Sequence, residues 1–144
     1  MVIVSNTSPL LALDHLQELS LFPRVLAGEM LVPPAVAREF VRPLPDWLQV
    51  RNLNQPVATQ IQGESEALAL ALESKADLIL LDDRAARRLA TALGIPLLGT
   101  LGLLLLGKGA GLIPNVRSRI EALRSLPFHI SPRLYEAVLK TAGE

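Results

Sequence analysis

Leu78-Ile79-Leu80-Leu81 is four apolar residues in a row, running without a spacer into Asp82-Asp83. So short and unbroken a run reads as a strand buried on both faces, the environment of a parallel sheet. Asp83–Leu93 then reads as a helix, stopped at Gly94, where a left-handed residue is easily accommodated. The chain opens the same way. Val2–Ser5 reads as a buried strand, Asn6-Thr7-Ser8 interrupts it, and Pro9-Leu10-Leu11-Ala12-Leu13 begins a helical apolar run. Strands alternating with helices at this spacing mean βαβ units, and hence an α/β fold with a mainly parallel sheet.

The intervening segments fill in that pattern. Helical character over Pro9–Leu26 is expected to break near Phe22-Pro23, because proline disfavours helical geometry in the residue before it. Met30–Val32 reads as a strand ended by Pro33-Pro34, with a helix over Pro34–Val41 that uses proline in its first turn. Arg42–Asp46 is a proline-bearing loop, and Gln49–Leu53 is a candidate edge strand. Glu64–Ser74 is rich in Ala and Leu, strong helix formers, and opens on acids that suit the positive end of a helix dipole. Pro96–Leu98 reads as a last parallel strand before a helix over Leu101–Lys108. Two more helices, Pro114–Leu126 and Ser131–Thr141, follow, with Phe128-His129-Ile130 as an edge strand between them.

Composition narrows the chemistry. A chain of 144 residues fits one domain, and half of it is hydrophobic with 19% charged, which argues against disorder. Without cysteine there are no disulfides, thiolate metal sites or Cys nucleophiles. With no basic segment before the first apolar run and no cleavage-site pattern after it, no secretory signal is expected. The longest apolar stretch, Ile95–Leu106, is interrupted by Pro96, Gly99, Thr100 and Gly102 and is too short for a bilayer, which needs about 20 apolar residues. The expected compartment is the cytoplasm, with no membrane partner. Net charge is zero, but residues 1–72 carry four basic and seven acidic side chains while residues 73–144 carry ten and seven. An acidic pocket could therefore coexist with a basic surface, as an enzyme acting on phosphodiesters would need; two ordinary solvated faces would look the same.

Asn6 falls at the carboxyl end of the first strand, where open α/β sheets bind ligands. Glu39, Glu66 and the pair Asp82-Asp83 are expected at or near other strand–helix junctions. Acids tens of residues apart yet repeatedly so placed point to one acidic pocket assembled by the fold. A phosphoacceptor receiver domain also has acids at strand ends, but it expects its paired acids after the first strand, and here the pair follows a later one.

Four segments resemble, in order, the motifs of PIN-domain nucleases: Val4-Ser5-Asn6-Thr7-Ser8-Pro9-Leu10-Leu11, Pro33-Pro34-Ala35-Val36-Ala37-Arg38-Glu39-Phe40, Gly63-Glu64-Ser65-Glu66-Ala67-Leu68-Ala69-Leu70-Ala71 and Leu78-Ile79-Leu80-Leu81-Asp82-Asp83-Arg84. The tail Ile130-Ser131-Pro132-Arg133-Leu134-Tyr135 is similar to a prokaryotic subgroup of unassigned VapC-like proteins. The resemblance implies a three-layer α/β/α sandwich. It also implies a divalent-metal ribonuclease, often the toxin of a toxin–antitoxin pair, with RNA as substrate and an antitoxin protein as partner. In that family, acids of the second, third and fourth motifs help hold Mg²⁺ or Mn²⁺ and its water. Glu39, Glu66 and Asp83 match those positions, with Asp82 an alternate for the last.

The residue types suit that chemistry. Mg²⁺ takes hard oxygen ligands and keeps several waters, so a few convergent carboxylates suffice. The departure is Asn6, where the family usually offers Asp. An Asn carbonyl can ligate a metal or orient a water but brings no charge, and Ser5 and Thr7 could support it with hydrogen bonds. A PIN fold that has lost efficient catalysis and serves as a protein- or RNA-binding module is the competing reading. Each residue also has a plainer role open to it: Asp83 as an N-cap, Glu66 as a dipole partner, Glu39 as a solvated helix residue, Asn6 as a turn residue. Arg84, Arg87 and Arg88 lie at helical spacing beside Asp83 and could bind RNA phosphates or an acidic antitoxin tail, or simply be solvated. Thr100 is a candidate for the pocket rim, His15 and His129 read as structural, and aromatics are too few to predict base stacking. The aliphatic run Leu101–Leu106 allows a homodimer.

Overall fold

The computed structural model describes residues 1–40, 42–54 and 66–144. Its centre is β1 (Val2–Ser5), flanked by β2 (Glu29–Val32) and β4 (Leu78–Leu80). β3 (Leu48–Val50) and β5 (Leu97–Leu98) form the edges, giving the order β3-β2-β1-β4-β5 with every pairing parallel. Ile3 registers with Met30 on one side and Leu78 on the other.

Alternation along the strands divides the core into two layers. Ile3, Met30, Val32 and Leu80 face one side, where they pack with α1 (Thr7–His15), α2 (Leu21–Val25), α3 (Pro34–Glu39), α6 (Thr100–Gly109), α7 (Arg117–Leu123) and α8 (Pro132–Thr141). Val4, Leu31, Ile79 and Leu81 face the other, against α4 (Glu66–Ser74) and α5 (Arg84–Ala92). Helices therefore cover both faces of the sheet, the α/β/α sandwich expected. Burial on both faces explains why the central strands are unbroken apolar runs rather than half-polar ones.

Several boundaries differ from the sequence reading for identifiable reasons. The first helical stretch breaks at Leu16–Ser20, where Gln17 adopts a left-handed conformation (φ 57°), and not at Phe22-Pro23. Pro23 lies in the first turn of the five-residue α2, where its missing N–H would have had no helical partner anyway. α3 stops at Glu39, because Phe40 turns to extended backbone; Val41, assigned to the helix from sequence, lies outside the described residues. So do Gly63, Glu64 and Ser65 of the third motif. Phe128–Ile130 is not a strand. Pro127 has no N–H to donate, and the Phe128 N–H turns back onto the Leu126 carbonyl (2.7 Å), so neither of these residues pairs with β5. The run Leu101–Leu106 points largely inward, with Leu103 and Leu104 fully buried and only Leu106 strongly exposed (44%), so it contributes little apolar surface to a dimer. Among the described residues no helix is long and apolar enough to cross a membrane.

Candidate functional site

From β1 the chain steps outward through β2 to β3, then returns to β4 on β1's other side. The reversal leaves a crevice at the carboxyl ends of β1 and β4, the place where sheets of this kind bind ligands. The Asn6 N–H donates to the Leu80 carbonyl (2.9 Å), which ties the two strand ends together. Asn6 occupies the N-cap position of α1 with extended backbone, yet its side chain makes no cap hydrogen bond. The turn-closing role open to it in sequence is not one its side chain performs.

Three carboxylates from different elements share a cavity with Asn6. Glu39 ends α3, and its Oε1 accepts from the buried Thr7 hydroxyl (3.0 Å). Glu66 begins α4, and its Oε2 accepts from the Ala35 N–H (3.3 Å) in the first turn of α3. Asp83 caps α5, its Oδ2 accepting from the Ala86 N–H (2.8 Å). Asn6, Glu39, Glu66 and Asp83 line one cavity of about 450 Å³, with Thr7 and Ser8 on its wall. Asp83 therefore does both things the sequence allowed: it caps a helix and faces the cavity. Glu39 is the last residue of α3, the helix expected there, and does not sit at the strand–helix junction at that helix's start.

Asp82 is differently engaged. Its Oδ1 accepts from the Thr100 N–H (2.7 Å), and its Oδ2 accepts from the Thr100 hydroxyl (2.6 Å) and the Ser8 hydroxyl (3.1 Å). Both oxygens hold the start of α6 to the end of β4, outside the lining of the acidic cavity. Thr100 is correspondingly buried in this tie and not on the cavity rim. Ser5, expected to support the Asn6 side chain, instead donates its hydroxyl to the Asn6 carbonyl (2.9 Å).

The donor set fits a hard divalent cation in kind, since every candidate offers oxygen. No three acids or histidines among the described residues sit close enough to hold one ion together. Each carboxylate nevertheless spends only one oxygen on the protein, leaving Glu39 Oε2, Glu66 Oε1 and Asp83 Oδ1 without a partner among the described residues. Mg²⁺ keeps several of its waters when bound, so a cation held here would reach some of these carboxylates through water.

Arg84, Arg87 and Arg88 are exposed on α5 and form no ion pair among the described residues. They line a second groove, of about 730 Å³, whose wall also includes Asp82, Phe128 and His129. Ser8 joins the two, facing the acidic cavity while donating to Asp82 on the groove side. Neither Phe128 nor His129 was legible as a groove residue, because both come from an irregular segment that only the fold brings beside α5. His15 is structural as expected, its Nε2 within hydrogen-bond distance of the Ala122 carbonyl (3.2 Å) and the Ser125 hydroxyl (2.9 Å).

The family model DUF3368, a PIN domain, matches residues 2–144. Neither a curated protein nor a solved structure matches the chain. PIN domains in general have nuclease-type activity, use divalent metals and bind RNA. With nearly its whole length matched and its strands in parallel α/β/α order, this chain belongs to the PIN-domain family.

Proposed function

We propose that the protein is a divalent-metal-dependent endoribonuclease of the VapC-like type, with Asn6, Glu39, Glu66 and Asp83 as its active site. The observation that carries this reading is the assembly of these four oxygen-bearing side chains, drawn from β1–α1, α3, α4 and β4–α5, around one cavity at the sheet's switch point. Glu39, Glu66 and Asp83 would hold Mg²⁺ or Mn²⁺, with Asn6 as a neutral ligand or an orienter of water; Asp82, committed to Thr100 and Ser8, positions the β4–α6 corner. A bound divalent metal supplies an activated water and offsets charge developing on the scissile phosphate. The Thr7 hydroxyl and the Ala35 N–H fix the approach of Glu39 and Glu66, while capping fixes Asp83. Arg84, Arg87 and Arg88 bind phosphates of the RNA beside the site. The toxin role, an antitoxin partner and a cytoplasmic setting rest on the motif resemblance.

A second reading is favoured by two observations. Asn6 brings no charge, and the described acids do not close into a three-member cluster. On that reading the fold binds RNA or protein without cutting. Cleavage of single-stranded RNA in Mg²⁺ or Mn²⁺ separates the two. Glu39→Gln, Glu66→Gln and Asp83→Asn should each lower the rate at least about 100-fold, given that even outer-shell partners of metal sites are worth about 10- to 100-fold. A parent that binds RNA but never cuts it supports the binding module. A parent that cuts as fast as all three variants removes these residues from the site.

A further inference from the structure

The arginine groove has a composition that phosphate binding alone does not explain. Its lining is apolar along the β5 edge and α6 (Leu97, Leu98, Leu101) and includes the half-buried ring of Phe128. Three arginines without ion pairs among the described residues stand along α5. An apolar slot with an aromatic ring, edged by cations, matches a nucleobase flanked by its phosphates, since stacking on an aromatic ring is available to every base. Asp82 lies on the same wall, but its oxygens already accept three hydrogen bonds, which moderates its repulsion of an anion.

We infer that this groove is a base-binding subsite for single-stranded RNA next to the acidic cavity, with Phe128 stacking on one base while Arg84, Arg87 and Arg88 take the adjoining phosphates. The inference deepens the nuclease reading and rests on it for the identity of the ligand. An acidic peptide would also satisfy the cations. RNA is favoured by continuity: Asp83 faces the cavity, Asp82 and Arg84 face the groove, and Ser8 connects them, so one strand could occupy both. His129, exposed on the groove wall, is placed to touch the same nucleotide.

The test is fluorescence anisotropy with a labelled oligouridine of about ten nucleotides and an abasic ribose-phosphate oligomer of equal length, in EDTA so that nothing is cut. Phe128 also packs against the core, so Phe128→Leu, which keeps apolar volume and removes the flat ring, is the informative variant. It should weaken oligouridine binding roughly 5- to 100-fold and leave the abasic oligomer unaffected, with Phe128→Trp restoring affinity. Replacing the three arginines by alanine should weaken both oligomers and reduce the slope of log K against log salt by about 2. Binding of both oligomers unchanged in Phe128→Leu at an unaltered unfolding temperature would overturn the subsite. So would a parent that binds no RNA, or polyglutamate displacing RNA equally from the parent and from Phe128→Leu. The two readings fail separately: Phe128-dependent binding without metal-dependent cleavage sinks only the nuclease, and cleavage with Phe128-independent binding sinks only the subsite.

Discussion

Asp82 and Asp83 are adjacent and chemically identical, and their surroundings give them different work. Asp82 accepts three hydrogen bonds from Thr100 and Ser8, whereas Asp83 accepts one at its cap and lines the acidic cavity. Hydrogen bonds to a charged group are worth about 1.5–3 kcal/mol each, though removing one acceptor does not sum them. Asp82→Ala should therefore cost about 2–3 kcal/mol in chemical denaturation. Asp83→Ala should cost only the ~1 kcal/mol of a lost cap while abolishing cleavage. Equal stability losses would mean that the two carboxylates are not divided in this way. Asn6→Asp probes the missing charge. A carboxylate near a divalent cation gains several kcal/mol even at an effective dielectric of about 20, so Mn²⁺ affinity should rise about tenfold or more. The new charge also faces Glu39, Glu66 and Asp83, so the metal-free protein should melt lower while the metal-loaded form melts higher. Calorimetry with and without Mn²⁺ reads both signs. No change in either would place the Asn6 side chain outside the metal's reach.

At the scale of elements, one carboxylate adds a polar tie to the apolar packing of Ile120, Leu123 and Val138 that seats the C-terminal helices on the core. Glu144, beyond α8, accepts from Lys108 Nζ (2.8 Å) on α6 and from the N–H groups of Val116 (2.7 Å) and Arg117 (3.0 Å) at the start of α7. The bond from Lys108, aided by the two backbone donors, lowers its pKa from 4.5 to about 2. The folded protein thus holds the ionised form more tightly than the unfolded chain does. This stabilisation is complete above pH 4.5 and is lost as the pH falls towards 2. The parent's unfolding temperature should drop more steeply across that window than that of Glu144→Gln, which has no such proton to take up. Parallel curves would show that the contact does not contribute in solution. The groove stands on the same tail, because Leu134 and Val138 of α8 line it with Phe128. Loosening the Glu144 tie in Glu144→Gln should therefore weaken oligouridine binding about two- to fivefold near pH 7, which anisotropy would detect, without altering metal affinity; such modest losses are typical of positioning through one contact.

For the molecule as a whole, what sequence disclosed depended on how far each signal reaches. The central strands were legible because burial on both faces leaves an unbroken apolar run, as in Leu78–Leu81, and the parallel order followed from helices between strands. Helix ends were less legible: Pro23 could be read as a breaker only without knowing that it lies in a first turn. Asn6 and Asp83 could be placed from their strand ends, but Glu39 meets them through Thr7, 32 residues away, a contact no local pattern encodes. Phe128 was invisible for the same reason. The charge asymmetry has only a partial structural counterpart: Glu39 and Glu66 of the cavity come from the first half and the groove's arginines from the second, but Asp83 of the cavity also comes from the second. The central claim is that the cavity at the sheet's switch point is a divalent-metal site, and Mn²⁺-soaked crystals test it most directly. One anomalous peak bounded by Asn6, Glu39, Glu66 and Asp83 is predicted. No peak there at saturating Mn²⁺, or a peak on Asp82 alone, would contradict it.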